Sequence, residues 1–238
     1  MNKEAVEKFK KILSEYGYLL SEHQFEQFIK YYELLVEWNE RMNLTAITEF
    51  EEVLLKHFAD SLSIIKVIDL NTVSSLIDIG TGAGFPGIPI KIMYPDLNVT
   101  LLDSLQKRIG FLDEVISVLK LDKINTIHGR AEDFAKTDKL RESYDICVSR
   151  AVANLSSLTE LCLPYVKVDG SFISYKSDKV NDELSGAVKA IEMIGGSLEK
   201  KEIFNIENNT RALVVIRKIK NTPKQYPRKA GLPVKKPL

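Results

Sequence analysis

Asp78-Ile79-Gly80-Thr81-Gly82-Ala83-Gly84-Phe85-Pro86-Gly87 is the stretch from which the fold of this chain is read. An apolar run over residues 73–79 precedes it and Ile88-Pro89-Ile90-Lys91-Ile92 follows, so strand, glycine-rich loop and helix succeed one another. In α/β sheets this is where ligands bind, at the carboxyl end of a strand next to a topological switch point. Gly82, Gly84 and Gly87 fit the dinucleotide spacing G-x-G-x-x-G, so glycines alone do not separate a nicotinamide enzyme from a methyltransferase.

Outward from the loop, the helix and strand periods alternate. Strands are expected over residues 99–103, 124–128, 144–149 and 171–175, with helices over 105–119, 155–166 and 182–194, the last stopped by Gly195-Gly196. Residues 200–206 and 211–219 are extended runs separated by Glu207-Asn208-Asn209-Thr210, the pattern of a hairpin. Before the loop the sequence is helical. Val6, Phe9, Ile12, Leu13 and Tyr16 recur at three and four up to Gly17, and Ser21 with Gln24 forms a capping-box pattern ahead of Phe25, Phe28, Tyr32, Leu35 and Trp38. Thr48 with Glu51 repeats that pattern before Val53, Leu54, Phe58, Leu62 and Ile65. The fold class is therefore α/β: a mostly parallel seven-stranded sheet, a terminal antiparallel hairpin adding an edge strand, and an N-terminal helical cap. The expected division is residues 1–70 as cap, 71–220 as cofactor domain and 221–238 as basic tail.

The cofactor choice rests on charge. Asp78 precedes the first glycine by two residues, where a carboxylate repels a pyrophosphate but suits the ammonium of a bound amino acid, which S-adenosylmethionine carries. Gly80, Gly82, Gly84 and Phe85 would lie against that ligand, and Asp103, ending the next strand, would accept hydrogen bonds from ribose hydroxyls. Ala131 and Glu132, after the third strand, occupy the position from which an adenine edge is read. Ser149-Arg150-Ala151-Val152-Ala153-Asn154 follows the fourth strand, where the transferred methyl faces the acceptor; Arg150 is placed to line the cofactor or clamp a phosphate, with a surface ion pair as the alternative.

Lys plus Arg and Asp plus Glu number 33 each, but residues 217–238 hold eight basic and no acidic residues, leaving residues 1–216 with 25 basic against 33 acidic. The tail is thus a separate feature, interrupted by Pro223, Pro227, Pro233 and Pro237 and expected to lack regular structure. Cys147 and Cys162 sit in apolar stretches and make no disulfide framework. No apolar run approaches the roughly 18 residues of a membrane span, and the amino terminus opens into a charged amphipathic pattern, so a cytoplasmic protein without membrane or metal partners is expected.

Several further motifs carry a resemblance. Trp38-Asn39-Glu40-Arg41-Met42-Asn43-Leu44-Thr45-Ala46-Ile47, Glu52-Val53 and His57-Phe58-Ala59-Asp60-Ser61-Leu62 occur together with the glycine loop and Lys107-Arg108-Ile109-Gly110-Phe111-Leu112. Gly129-Arg130-Ala131-Glu132, Ser149-Arg150-Ala151-Val152-Ala153 and the terminal segment from Tyr226-Pro227-Arg228-Lys229-Ala230-Gly231 to Leu238 follow. Over nearly its whole length the chain resembles the bacterial small-subunit ribosomal RNA guanine-N7 methyltransferases, the RsmG or glucose-inhibited division protein B family. It departs from the family pattern at Tyr175-Lys176-Ser177, where Lys followed by Gly is expected. The resemblance implies a Rossmann-like S-adenosylmethionine-dependent methyltransferase fold and methyl transfer from S-adenosylmethionine to N7 of one guanine, with small-subunit ribosomal RNA or the small ribosomal subunit as partner. Guanine N7 has a free lone pair and no proton to lose, so no catalytic acid or base is assigned; Ser149, Asn154 and Lys176, with Arg150, are candidates for positioning the base. Two alternatives are a methyltransferase with another acceptor and a non-enzymatic ribosome assembly factor that keeps a cofactor site.

His57, Asp60 and Ser61 share one helical face by their offsets, but consecutive turns of one helix do not align a nucleophile with its base. Their expected role is a polar contact between cap and cofactor domain. In the tail, Arg228, Lys229, Lys235 and Lys236 are the expected contacts to RNA phosphates, each neutralised phosphate adding roughly 0.7 to the salt slope on single strands. The competing reading of the tail is a strap that neutralises the acidic body.

Overall fold

The computed structural model describes residues 2–150, 153–178 and 180–238. The helical amino-terminal part comprises α1 (Lys3–Glu15), α2 (Glu22–Met42), α3 (Phe50–Val53), a π-helical stretch (Leu54–Ala59) and α4 (Asp60–Leu62). Helix α2 starts where Ser21 and Gln24 exchange capping hydrogen bonds, and it ends at Asn43, whose left-handed conformation (φ 49°) turns the chain. The second capping pattern is not realised. Glu49 rather than Thr48 precedes α3, without a side-chain cap, and the expected continuous helix passes into the π-helical stretch.

Strands β1 (Ser75–Ile79), β2 (Asn98–Asp103), β3 (Ile124–His128), β4 (Tyr144–Arg150) and β5 (Val166–Lys176) are mutually parallel, and β6 (Gly196–Ile206) and β7 (Asn209–Lys218) form the hairpin. The sheet order is β3-β2-β1-β4-β5-β7-β6. β7 inserts antiparallel against β5, so the antiparallel strand is an inner one and β6 forms the edge. Between them lie α5 (Gly87–Met93), α6 (Gln106–Val118), α7 (Ala131–Phe134), α8 (Leu155–Cys162) and α9 (Val180–Ile194), followed after the sheet by α10 (Leu232–Lys235). Helix α8 is shorter than its apolar pattern suggests because Pro164 lacks an amide donor; a 3-10 turn over Leu163–Tyr165 takes over, and β5 begins directly at Val166.

One sheet face packs against α1, α2, α5 and α6 through Phe9, Phe28, Tyr31, Phe58, Leu101 and Phe111, all buried. The amino-terminal helices therefore share a core with the sheet. The other face packs against α8 and α9 through Leu158, Phe172, Ala187, Ile191 and Ile216. Both layers leave open the carboxyl ends of β1 and β4, adjacent strands whose onward connections run to opposite sides, and the site forms there.

Candidate active site

The glycine loop leaves β1 and lies under a cavity of about 640 Å³. Its shape depends on two glycines. A Cβ on Gly84, where φ is +94°, would stand 2.7 Å from the Tyr31 hydroxyl, and one on Gly87 would stand 2.4 Å from Leu101 and 3.0 Å from Oδ2 of Asp78. That closeness lets Asp78 brace the loop from behind: its Oδ2 accepts from the Thr81 hydroxyl at 2.7 Å and the Gly87 amide at 2.9 Å. The Tyr31 hydroxyl donates to the Ala83 carbonyl from the other side.

Asp78 is completely buried and is not on the cavity wall; its Oδ1 has no hydrogen-bond partner among the described residues. Burial pushes its carboxyl up to about 7, opposed by the bonds from Thr81 and Gly87. Asp103 does line the cavity. Its Oδ2 accepts from the Gly82 amide at 2.9 Å and from Arg108 at 3.3 Å, and its Oδ1 accepts from the Leu105 amide at 2.9 Å. Gly80, Gly82, Phe85, Ala131, Glu132 and Arg150 line the same cavity, whereas Gly84 does not, its part being to let the loop pass Tyr31.

Arg150, at the end of β4, reaches back to the amino-terminal helices. It donates to Oδ2 of Asp60 at 2.9 Å and to the Lys56 carbonyl at 3.2 Å, and it stands 3.1 Å from Nδ1 of His57. The same Nδ1 is 3.2 Å from the Lys56 carbonyl, and Nε2 is 2.9 Å from the Thr45 hydroxyl. Burial, with Arg150 adding to it, pushes His57 down to about 3, so the imidazole is neutral at physiological pH. Phe85 stacks on the imidazole at 4.5 Å and faces the guanidinium at 4.9 Å. Asp60 also pairs with Arg211 of β7 at 3.2 Å, and Ser61 donates to the His57 carbonyl within its own turn. His57 and Asp60 thus join the helices to the sheet, as their side of the sequence suggests, and Ser61 is turned away from any nucleophilic role.

A second cavity of about 540 Å³ adjoins the first, lined by Lys56, Asp60, Tyr175, Lys176, Glu183 and Arg211, and His57 and Arg150 belong to both walls. Of the four positioning candidates Arg150 and Lys176 face it, and the Lys176 ammonium is held by Glu183 at 2.6 Å and the Ala153 carbonyl at 2.8 Å. Ser149 is buried and donates to the Ile79 carbonyl, tying β4 to β1. Asn154 caps α8 by accepting from the Ser157 amide. Ala151 and Val152 of the same motif lie outside the described residues.

The basic tail is folded onto the body rather than trailing from it. Arg228 donates to both carboxylate oxygens of Glu160, a residue with no exposed surface, so this arginine is engaged internally. Lys229, Lys235 and Lys236 are exposed. Leu44, Thr45, Arg108, Arg130, Leu161, Gly231, Val234 and Lys235 also line the first cavity, and none of them was singled out for it by the sequence. Leu44 and Thr45 had a signal in Asn39 and Asn43: the Asn39 side chain accepts from the Thr45 amide at 2.8 Å, just past the left-handed Asn43.

The sequence profile described as rRNA small subunit methyltransferase G matches residues 24–214. The chain belongs to that family. Curated relatives agree: "Ribosomal RNA small subunit methyltransferase G" of Lachnoclostridium phytofermentans is 58% identical over 93% of both chains, and that of Bacillus subtilis is 51% identical over 98% of both. Among solved structures, the fold is similar to a SAM dependent methyltransferase from Aquifex aeolicus (TM-score 0.54, 13% identity, 73% of this chain and 96% of that one). It is also similar to the mitomycin 7-O-methyltransferase MmcR (TM-score 0.57, 16% identity, 79% of this chain and 60% of that one). With the family come the reaction class, methyl transfer, and the cofactor, S-adenosylmethionine. The first cavity fits that cofactor on its own geometry: Gly80 and Gly82 carry the loop along its wall without side chains, and the strand-end carboxylate of Asp103 stands in it. Among the described residues no group of three His, Cys, Asp or Glu side chains is arranged to hold a metal, and no helix is long and apolar enough to cross a membrane.

Proposed function

We propose that the chain methylates N7 of a guanine in small-subunit ribosomal RNA, with the cofactor in the first cavity and the guanine entering through the second. The observation that carries this reading is the pair of cavities meeting at His57 and Arg150, at the carboxyl ends of the switch-point strands. S-adenosylmethionine supplies an electrophilic methyl on a sulfonium sulfur. Loop residues Gly80 and Gly82 would pass along the cofactor, Asp103 would receive its ribose, and the region of Ala131 would receive its adenine.

The protein's task is then alignment. N7 carries a lone pair and no proton, so no side chain has to act as a base, and holding acceptor and methyl in line is worth roughly 7–11 kcal/mol. His57 suits the boundary because it is neutral: transfer moves positive charge onto the guanine, and a cationic imidazole there would oppose it. The Arg150 charge is balanced by Asp60, and Asp60 and Glu183 place two carboxylates on the acceptor cavity. Arg150 and Lys176 are the donors placed to orient guanine O6. Lys229, Lys235 and Lys236 would meet RNA phosphates.

The test is incubation of the protein with methyl-labelled S-adenosylmethionine and either naked ribosomal RNA or small subunits from cells lacking the enzyme, followed by nucleoside analysis. Label in 7-methylguanosine is the expected result, and the better acceptor identifies the RNA form recognised. Cofactor binding without label in either acceptor would overturn the proposal.

A further inference from the structure

One wall of the cofactor cavity comes neither from the sheet nor from its helices. Gly231, Val234 and Lys235, from the last turn of the chain, line it beside Ala131 and Leu161. The segment that brings them there is fastened along its length. Arg141 donates to the carbonyls of Thr222 at 2.8 Å and Tyr226 at 2.9 Å, Arg228 clamps Glu160, and the Ser157 hydroxyl donates to the Pro233 carbonyl at 2.8 Å. At the cavity itself, the Gly231 amide donates to Oε1 of Glu132 at 2.7 Å. That bond gives Glu132 a use other than contact with the cofactor. Its carboxylate, 6% exposed, satisfies the amide at the turn into α10, where Gly231 takes a left-handed φ of +79°.

Val234 is unusual on this segment. It is 53% exposed, yet it faces the cavity next to the apolar surfaces of Leu161 and Ala131, which are 5% and 8% exposed. A half-open slot of three aliphatic side chains after β3 suits the flat, weakly polar adenine ring and offers nothing to the ammonium, carboxylate or ribose. Covering Val234 with an apolar face would remove from water one of the nine large hydrophobic side chains exposed among the described residues.

We propose that the carboxyl-terminal segment is a cofactor-binding element, in which Val234 completes the adenine subsite and Glu132 acts as a positioning residue that seats the segment through Gly231. The inference rests on the assignment of S-adenosylmethionine to the first cavity. The segment therefore serves two ligands, adenine on its inner side and RNA phosphates at Lys229 and Lys236 on its outer side. Deleting residues 221–238 would remove both at once and strip Arg141 and buried Glu160 of their partners, so single substitutions are needed to separate them.

The experiment is calorimetric titration of the full-length protein with S-adenosylhomocysteine and with 5′-methylthioadenosine, which lacks the amino-acid end. Val188 on α9 has the same 53% exposure as Val234 and lies outside both cavities, so Val188→Asp is the matched control. Val234→Asp should weaken both ligands by about tenfold and Val234→Ala by about threefold, through lost apolar contact and a carboxylate beside the ring. Val188→Asp should bind as wild type, and all three variants should unfold at the wild-type temperature because the side chains are half exposed. Amide exchange over residues 229–236 should slow in wild type when S-adenosylhomocysteine binds. Equal affinities for Val234→Asp and Val188→Asp, or unchanged exchange in that segment, would overturn the inference while leaving the cofactor assignment standing. Wild type binding neither nucleoside would instead bring down the cofactor assignment, and this inference with it.

Discussion

The Arg150 guanidinium stands 3.1 Å from Nδ1 of His57, a contact that joins the end of β4 to the π-helical stretch and sets a cation against a buried imidazole. Two consequences are measurable. His57 should stay neutral from pH 8 down to about pH 4, so its ring proton resonances should not titrate near pH 6.5, and methyl transfer should show no inflection assignable to it. The folded group is depressed relative to the unfolded chain, so its contribution to stability is complete above pH 6.5 and is lost as pH falls toward 3. Asn in its place should flatten that part of the pH–stability curve.

The opposite sign applies to Asp78. Burial raises its carboxyl to about 7, above the ordinary 3.8, so the folded state prefers the protonated form and stability from this group declines as pH rises through 7. Asp78→Asn should therefore fold at least as well as wild type at pH 8. Denaturant unfolding of both proteins between pH 6 and 8.5 decides it.

Gly87 is where the loop and Asp78 touch. Gly87→Ala would drive a methyl to 2.4 Å from Leu101 and 3.0 Å from Oδ2 of Asp78, both in the packed interior. The loop must shift, at a cost of about 1–3 kcal/mol in denaturant unfolding, and cofactor affinity should drop with it.

The succession of strands along the chain, the glycine loop, Asp103 and the helix–sheet contact of His57 and Asp60 were legible because each follows from local pattern: period, glycine spacing, a carboxylate ending an apolar run. Other features were not. Ser149, Asn154 and Arg228 have side chains that suit RNA or substrate equally well, and only the tertiary fold shows them occupied by the Ile79 carbonyl, the Ser157 amide and Glu160. Val234 could not be assigned because it is about a hundred residues from Ala131 in sequence, and no periodicity reports a cavity closed by a terminal segment. The tail's composition signalled charge and prolines but not the short α10, whose start depends on Glu132 meeting Gly231.

Asp60 holds two arginines, Arg150 at 2.9 Å and Arg211 at 3.2 Å, and is itself 5% exposed. Asp60→Ala leaves two guanidinium groups close together without their anion in a largely water-excluded place. Loss of about 3 kcal/mol of unfolding free energy is expected, with methyl transfer reduced because Arg150 no longer has one fixed position.

The tail yields the sharpest contrast, because four basic residues of similar sequence context should behave in two ways. Arg228 is clamped on Glu160, which has no exposed surface, so Arg228→Ala strands a buried carboxylate and should cost about 3–5 kcal/mol in stability whether or not RNA is present. Lys229, Lys235 and Lys236 are exposed, and among the described residues no ion pair engages their ammonium groups. Their alanine variants should unfold like wild type yet bind ribosomal RNA more weakly, each lowering the slope of log affinity against log salt by about 0.7. Titrations at several salt concentrations, read beside denaturant unfolding, separate the classes. A stable Arg228→Ala protein with a reduced salt slope would move that arginine from the fold to the RNA interface, and unchanged slopes for the three lysines would remove the tail from RNA recognition.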